Sequence, residues 1–208
     1  MVQKSSPRSN RRGRPPEYDT DAVIAAATTA FFQSGFEGTT LTDLEQATGV
    51  DRSTLYNSFG GKGGLYGMAT AAYLEQAERG LFSPLHHGTE DGLADIAEFL
   101  RRLRSGLTSA AMPPGCLVVN DMATGSNPEA ARRYMELLET GARAALSRSG
   151  STDPAEIDRR AQLITSSVIG ANLVSKTTGD RARVGELVSA LAAEVEAWRT
   201  PGMRAAKA

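Results

Sequence analysis

Cysteine is all but absent from this 208-residue chain, with Cys116 the sole example. One thiol excludes an internal disulfide and fits a reducing interior. Histidine is nearly as scarce, with two examples. His86 and His87 stand side by side, with no cysteine or carboxylate at metal-ligand spacing, so they read as solvated loop residues and no metal is expected. No serine–histidine–acid set, phosphate loop or paired-histidine motif appears. An enzyme is therefore not expected, and neither is a cofactor. No apolar run approaches the roughly 18 residues of a membrane span, so no membrane partner is expected. The first 16 residues lack the apolar stretch of a secretory signal, and a cytoplasmic location is expected. Strand-like alternation never lasts more than a few residues, and no internal repeat is visible.

Positive charge is not in excess either. The formal net charge is −1, which offers nucleic acid no general attraction. Its distribution says more. Residues 1–16 carry Lys4, Arg8, Arg11, Arg12 and Arg14 and no acid, whereas residues 17–66 hold seven acids against Arg52 and Lys62. A basic arm thus precedes an acidic small segment. Taken alone, such an arm is most simply a solvated tail, although arms of this kind reach DNA phosphates or the minor groove in several DNA-binding folds.

What is present is helical spacing nearly everywhere. Val23, Ala27, Ala30 and Phe31 predict a first helix that Thr20 would cap and that ends near Ser34-Gly35. Thr40, with Asp43 three residues on, is a variant capping box for a second helix that must stop by Gly49. Asp51 is a good N-cap for a third, reaching about Ser58. Gly60-Gly61 breaks the chain before a fourth helix over 62–80, and residues 81–92 read as loop. An apolar stripe from Leu93 to Leu107 follows, then a short helix opening at Cys116. Asn127-Pro128 and Asp153-Pro154 each pair an N-cap with a proline at the first helical position. A last stripe runs from Val184 to Trp198. The count is nine helices and the class is all-α. The expected organisation is an arm over 1–17, a small head over 18–66, a larger helical body over 67–200 and a tail over 201–208.

Three short helices with a glycine at the turn suit a helix-turn-helix, because Gly49 can adopt the positive φ that a Cβ disfavours. Leu55 and Phe59 would hold the third helix to its core, leaving Arg52, Ser53, Thr54, Tyr56 and Asn57 free. Arginine forks onto guanine, asparagine onto adenine, and serine or threonine onto either. Lys62, just past the glycine break, can clamp a phosphate.

The stretch GRPPEYDTDAVIAAATTAFFQSGFEGTTLTDLEQATGVDRSTLYNSFGGKGGLY resembles the N-terminal DNA-binding domain of the TetR family of bacterial transcriptional regulators. The features that carry the likeness are the GRP-type basic arm, the alanine–phenylalanine–GF–TT pattern, the ATGV turn, the RSTLY helix and the following lysine. The resemblance implies a homodimer whose two recognition helices enter successive major grooves of a near-palindromic, double-stranded operator. It implies a repressor, released when a small molecule fills the C-terminal body. Position by position, Arg52, Ser53, Thr54, Tyr56 and Asn57 match the recognition helix, while Thr40 and Lys62 match flanking phosphate contacts; Arg11, Arg12 and Arg14 belong to the arm. Two departures stand out. Glu45 replaces a small or apolar residue, which predicts a slight tilt of the helix pair. Gly63-Gly64 follows the lysine, which predicts a loose start to the fourth helix.

Likeness is weak over 67–200. Ligand-pocket candidates are Cys116, Asn120, Met122, Tyr134 and Lys176. Cys116 opens a helix, where a thiol's pKa can fall, and Lys176 could face it, so oxidant or electrophile sensing is an alternative trigger. A small buried hydrophobe is the simpler role for a free cysteine. Ile164, Ser167, Val168 and Ala171, with Leu187, Leu191, Val195 and Trp198, mark a dimer interface, two copies making a four-helix bundle. The competing class is an all-α ligand-binding or scaffolding protein without DNA binding.

Overall fold

The structure, a computed structural model, describes residues 18–199. The arm arginines Arg11, Arg12 and Arg14 and the C-terminal tail lie outside the described residues. Ten helices and no strand occur among the described residues. The head holds α1 (Thr20–Gly38), α2 (Leu41–Thr48) and α3 (Arg52–Phe59), and α4 (Gly61–Arg79) leads out of it. The body holds α5 (Ser83–His87), α6 (Gly92–Thr108) and α7 (Leu117–Asp121). It is completed by α8 (Pro128–Arg148), α9 (Pro154–Thr178) and α10 (Arg181–Ala197).

Most boundaries follow the local signals. Asn127 accepts from the Ala130 amide and Asp153 from the Ala155 amide, each ahead of its proline. The first helix is an exception. Asp19, not Thr20, is its N-cap, accepting from the amides of Asp21 and Ala22. Gly35 then breaks it with φ 73° and ψ 171°, and one further turn carries the chain to Gly38.

The region expected to be loop contains α5, the tenth helix. Phe82 and Leu85 are fully buried there, and Pro84 lies in its first turn. Five residues are too few for periodicity to register. Arg148 of α8 supplies what so short a helix lacks, donating to the carbonyls of Pro84, Leu85 and Thr89 at 3.2, 3.1 and 2.9 Å. The same guanidinium pairs at 3.0 Å with Asp95, a buried carboxylate on α6. His86 is not solvated: its Nε2 sits 2.8 Å from the Leu137 carbonyl, whereas His87 is exposed.

Two apolar cores result. One joins Phe31, Leu44, Leu55, Phe59 and Leu65 in the head. The other fills the body between α6, α8, α9 and α10. The head core continues past the expected boundary at 66 to Ala69, because α4 runs through without a break. The stripes on α9 and α10 divide differently from expectation. Ile164, Val168 and Val195 are buried in the chain's own core, at 0%, 0% and 1% exposure, so they cannot line an outer face. The outward groove instead joins Leu163, Ser167, Gly170 and Val174 to Leu187 and Ala190, with Ala171 and Leu191 at its floor. Trp198 is half-buried and turned toward Arg160, 4.8 Å from its guanidinium.

Candidate functional site

The head is assembled by hydrogen bonds that its short helices make at their ends. Thr40 Oγ1 accepts from the Asp43 amide at 3.1 Å while the Asp43 carboxylate accepts from the Thr40 amide at 2.8 Å. Gly49 takes φ 71°, ψ 9° and turns the chain between α2 and α3. Nothing lies within 4 Å of where its Cβ would be, so φ alone demands glycine there. Asp51 then caps α3, accepting from the Thr54 amide at 2.6 Å. Hydrogen bonds from Thr40 hold the Asp43 carboxyl below its ordinary pKa, and the Thr54 amide does the same for Asp51. Both caps are therefore ionised at neutral pH. Their contribution is complete above the unfolded carboxylate pKa and disappears as pH falls through the lowered folded value.

Glu45 does something other than tilt the helices. Its carboxylate accepts from the Arg52 amide at 2.8 Å and meets the Arg52 guanidinium at 3.4 Å, with Thr42 Oγ1 also 3.4 Å from that guanidinium. The pair fastens α2 to the start of α3. On α3, Leu55 and Phe59 are buried, whereas Arg52, Ser53, Tyr56 and Asn57 point to solvent and Thr54 is half-buried. Asn57 Nδ2 donates to Ser53 Oγ at 3.2 Å. Ser58 shares the exposed face, a position not singled out from sequence because serine on a surface helix carries no signal. Lys62 holds its ammonium 4.4 Å over the Phe36 ring and 3.5 Å from the Glu37 carbonyl, at the C-terminal end of α1. The glycines after it divide in role. A Cβ on Gly64 would lie 1.9 Å from the Phe59 carbonyl oxygen, while Gly63 has open space around it. Close packing, rather than looseness, accounts for Gly64.

A junction invisible from sequence joins head and body. Asp121, the last residue of α7, accepts at Oδ2 from the Phe36 amide at 3.1 Å and from the Tyr66 hydroxyl at 2.5 Å. It thereby satisfies the amide exposed by the break at Gly35. Burial, then the Asp121 hydrogen bond, drives the Tyr66 phenol far above its ordinary pKa, so it stays a donor. Within α7, Leu117 belongs to the head core while Val118 and Val119 belong to the body core. One short helix is sewn into both.

At the other end of α7 lies a cleft of about 330 Å³. Of the pocket candidates, Cys116 and Tyr134 line it; Asn120, Met122 and Lys176 do not. Asn120 is a structural brace, accepting from the Cys116 amide and donating to the Pro114 carbonyl, each at 3.3 Å. Lys176 is exposed, and the preceding Ser175 faces inward, accepting from the Gly115 amide at 3.0 Å. Tyr73, Phe32 and Asn172 also line the cleft, and sequence reasoning missed them because they come from α4, α1 and α9. Cys116 is buried, accepts from Tyr73 Oη at 3.4 Å, and has its thiol pKa raised by burial. This environment suits the simpler role, a small buried hydrophobe, and not the alternative of an activated thiolate. Native protein at pH 7.5 should alkylate with iodoacetamide at least about tenfold more slowly than urea-unfolded protein. A larger groove of about 910 Å³ between α4 and α8 is edged by charge, including the 3.1 Å Arg133–Glu78 pair.

A turn glycine, a capped and exposed α3, and a helical body with its own cleft define a helix-turn-helix head joined to a larger helical body. Residues 23–68 match the family model described as "Bacterial regulatory proteins, tetR family". The chain is 32% identical over 113 residues to the HTH-type transcriptional repressor ComR of Escherichia coli, a match spanning 54% of either chain, so about half of that relative's length. It is 28% identical over 189 residues to the uncharacterised HTH-type regulator YezE of Bacillus subtilis, covering 85% of this chain and 95% of that one. Among solved structures, a cysteine mutant of the TetR family regulator CifR, complexed with 26-bp operator DNA, superposes with a TM-score of 0.73 at 27% identity, covering 90% of this chain and all of that one. Over residues 23–68 the chain is thus similar to the N-terminal domain of the TetR family of transcriptional regulators.

Proposed function

We propose that the protein is a dimeric, sequence-specific repressor that reads a near-palindromic operator with α3 and leaves it when a small molecule enters the cleft beside Cys116. The observation that carries the reading is the solvent-facing set on α3: Arg52, Ser53, Tyr56 and Asn57 stand outside a helix anchored by Leu55 and Phe59. Tyr56 rests one edge of its ring on Gly61 and leaves 57% of its surface exposed beside Arg52 and Asn57. The operator complex of CifR and the repressor name of ComR support the same assignment. A dimer is supported by the apolar outer groove of α9 and α10, where Leu163 and Leu187 are 39% and 43% exposed. Two-fold symmetry then sets half-sites about one DNA turn, 34–36 Å, apart.

The test is a gel shift of the full chain on the DNA upstream of its own gene. Arg52→Ala is expected to relax base preference and weaken specific binding by about 1–3 kcal/mol. Lys62→Ala should weaken all sequences alike and flatten the salt dependence. Equal losses on specific and random DNA for Arg52→Ala would refute its reading role. No binding to any upstream fragment would favour a ligand-binding or scaffolding protein instead.

A further inference from the structure

The cleft beside Cys116 has a definite chemistry. Its walls are apolar, with Phe32, Leu103, Leu107 and Met112 among them. The charged group that borders it is Arg102, and its guanidinium is already committed, donating to Glu98 at 2.7 Å and to the Gly80 carbonyl at 2.7 Å. A carboxylate or phosphate entering the cleft would lose its hydration and meet no unpaired cation. An ammonium group fares no better, because no carboxylate lines the cleft.

Two polar groups remain unspent. Tyr134 is 2% exposed and packs its ring against Phe82, with centroids 5.6 Å apart, yet its hydroxyl has no hydrogen-bond partner among the described residues. Burial holds that phenol protonated far above its usual range, so it is a donor waiting for an acceptor. Asn172 is 1% exposed and gives its Nδ2 to the Val168 carbonyl at 2.8 Å. That bond leaves Oδ1 without a donor among the described residues. Both residues line the cleft, where a guest can supply the partners that the chain does not.

We propose that the cleft takes an uncharged, mainly apolar small molecule bearing an oxygen acceptor, such as a ketone or aldehyde carbonyl, which accepts a hydrogen bond from Tyr134. About 330 Å³ sits at the lower end of the roughly 300–1,000 Å³ typical of small-molecule sites, so the guest is compact. The inference rests on the cleft being the effector site, and it names the chemical class of that effector.

The test uses three probes of one shape, 4-methylacetophenone, 4-methylbenzoate and 4-methylbenzylammonium, titrated calorimetrically into the full-length protein. The ketone is expected to bind and both ions to fail. Tyr134→Phe keeps the ring and its packing on Phe82, and should weaken the ketone by about 3–10-fold. The proposal is overturned if either ion binds as tightly as the ketone, if Tyr134→Phe leaves the ketone unaffected, or if none of the three binds up to millimolar concentration. Operator release is measured separately by gel shift with the same ketone. Tyr134-dependent binding without release would remove the effector reading and leave the ligand chemistry standing.

Discussion

Asp121→Leu is expected to destabilise the protein by about 2–5 kcal/mol and to disconnect cleft from operator. The leucine is close to aspartate in length but accepts nothing. Phe36 would lose the acceptor for its amide, and Tyr66, 2% exposed, the acceptor for its hydroxyl. Each unsatisfied buried donor costs about 1–3 kcal/mol. Removing the second orphan should restore part of the loss, so Asp121→Leu/Tyr66→Phe is expected to be more stable than Asp121→Leu, with a coupling of about 1–3 kcal/mol in a double-mutant cycle. The functional side follows from geometry. Cys116, at the head of α7, lines the cleft, and Asp121, at its end, holds the chain break at Gly35. Asp121→Asn keeps one acceptor and loses the charge, so its stability loss should be smaller. Gel shifts of both variants with and without a cleft ligand measure the coupling; unchanged release in Asp121→Leu would show that the signal travels elsewhere.

Gly63→Ala and Gly64→Ala should move stability in opposite directions although the two residues are neighbours. A Cβ on Gly64 would meet the Phe59 carbonyl at 1.9 Å, and a backbone oxygen cannot swing aside as a side-chain tip can. The α3–α4 junction has to open, at a cost of about 2–4 kcal/mol. Operator affinity should fall with it, because Phe59 is the residue that ends α3. Gly63 is exposed with open space around it, so alanine there restricts the unfolded chain and should stabilise by about 0.5 kcal/mol. Thermal melts followed by circular dichroism decide the matter. A Gly64→Ala midpoint at or above the parent's would mean that the junction yields.

These two residues also show where sequence reasoning succeeds and stops. Signals confined to a few neighbouring residues translated faithfully: Thr40 with Asp43, Gly49, Asp51, Asn127-Pro128 and Asp153-Pro154 all mark helix ends in the structure. Such caps depend on bonds between residues two to four apart, which a sequence displays directly. Glu45 was visible as an oddity, but its partner at Arg52 lies seven residues on, across a turn. Asp121 meets residues 85 and 55 positions away, and nothing local announces it. The α9 and α10 stripes failed for another reason. Both helices carry apolar residues on an inner and an outer face, so periodicity found the stripe without telling Ile164 and Val168 from Leu163 and Ser167. Lys176 misled by one position, since the neighbouring Ser175 is the residue turned inward.

The Glu45–Arg52 contact has a bearing on how the protein searches. Arginine is the side chain most able to grip any phosphate it passes, and an unguarded one on α3 would slow travel along the wrong DNA. Here the guanidinium is held 3.4 Å from a carboxylate on its own head. A lone phosphate must compete with that carboxylate and with the Thr42 hydroxyl beside it. A phosphate or a guanine edge can each offer two acceptors to the fork, and either has to displace Glu45 first. If Arg52 contacts DNA, breaking this ion pair is part of the cost of that contact. Freeing it with Glu45→Gln is expected to strengthen binding to specific and random DNA by a similar, small factor, measured by gel shift.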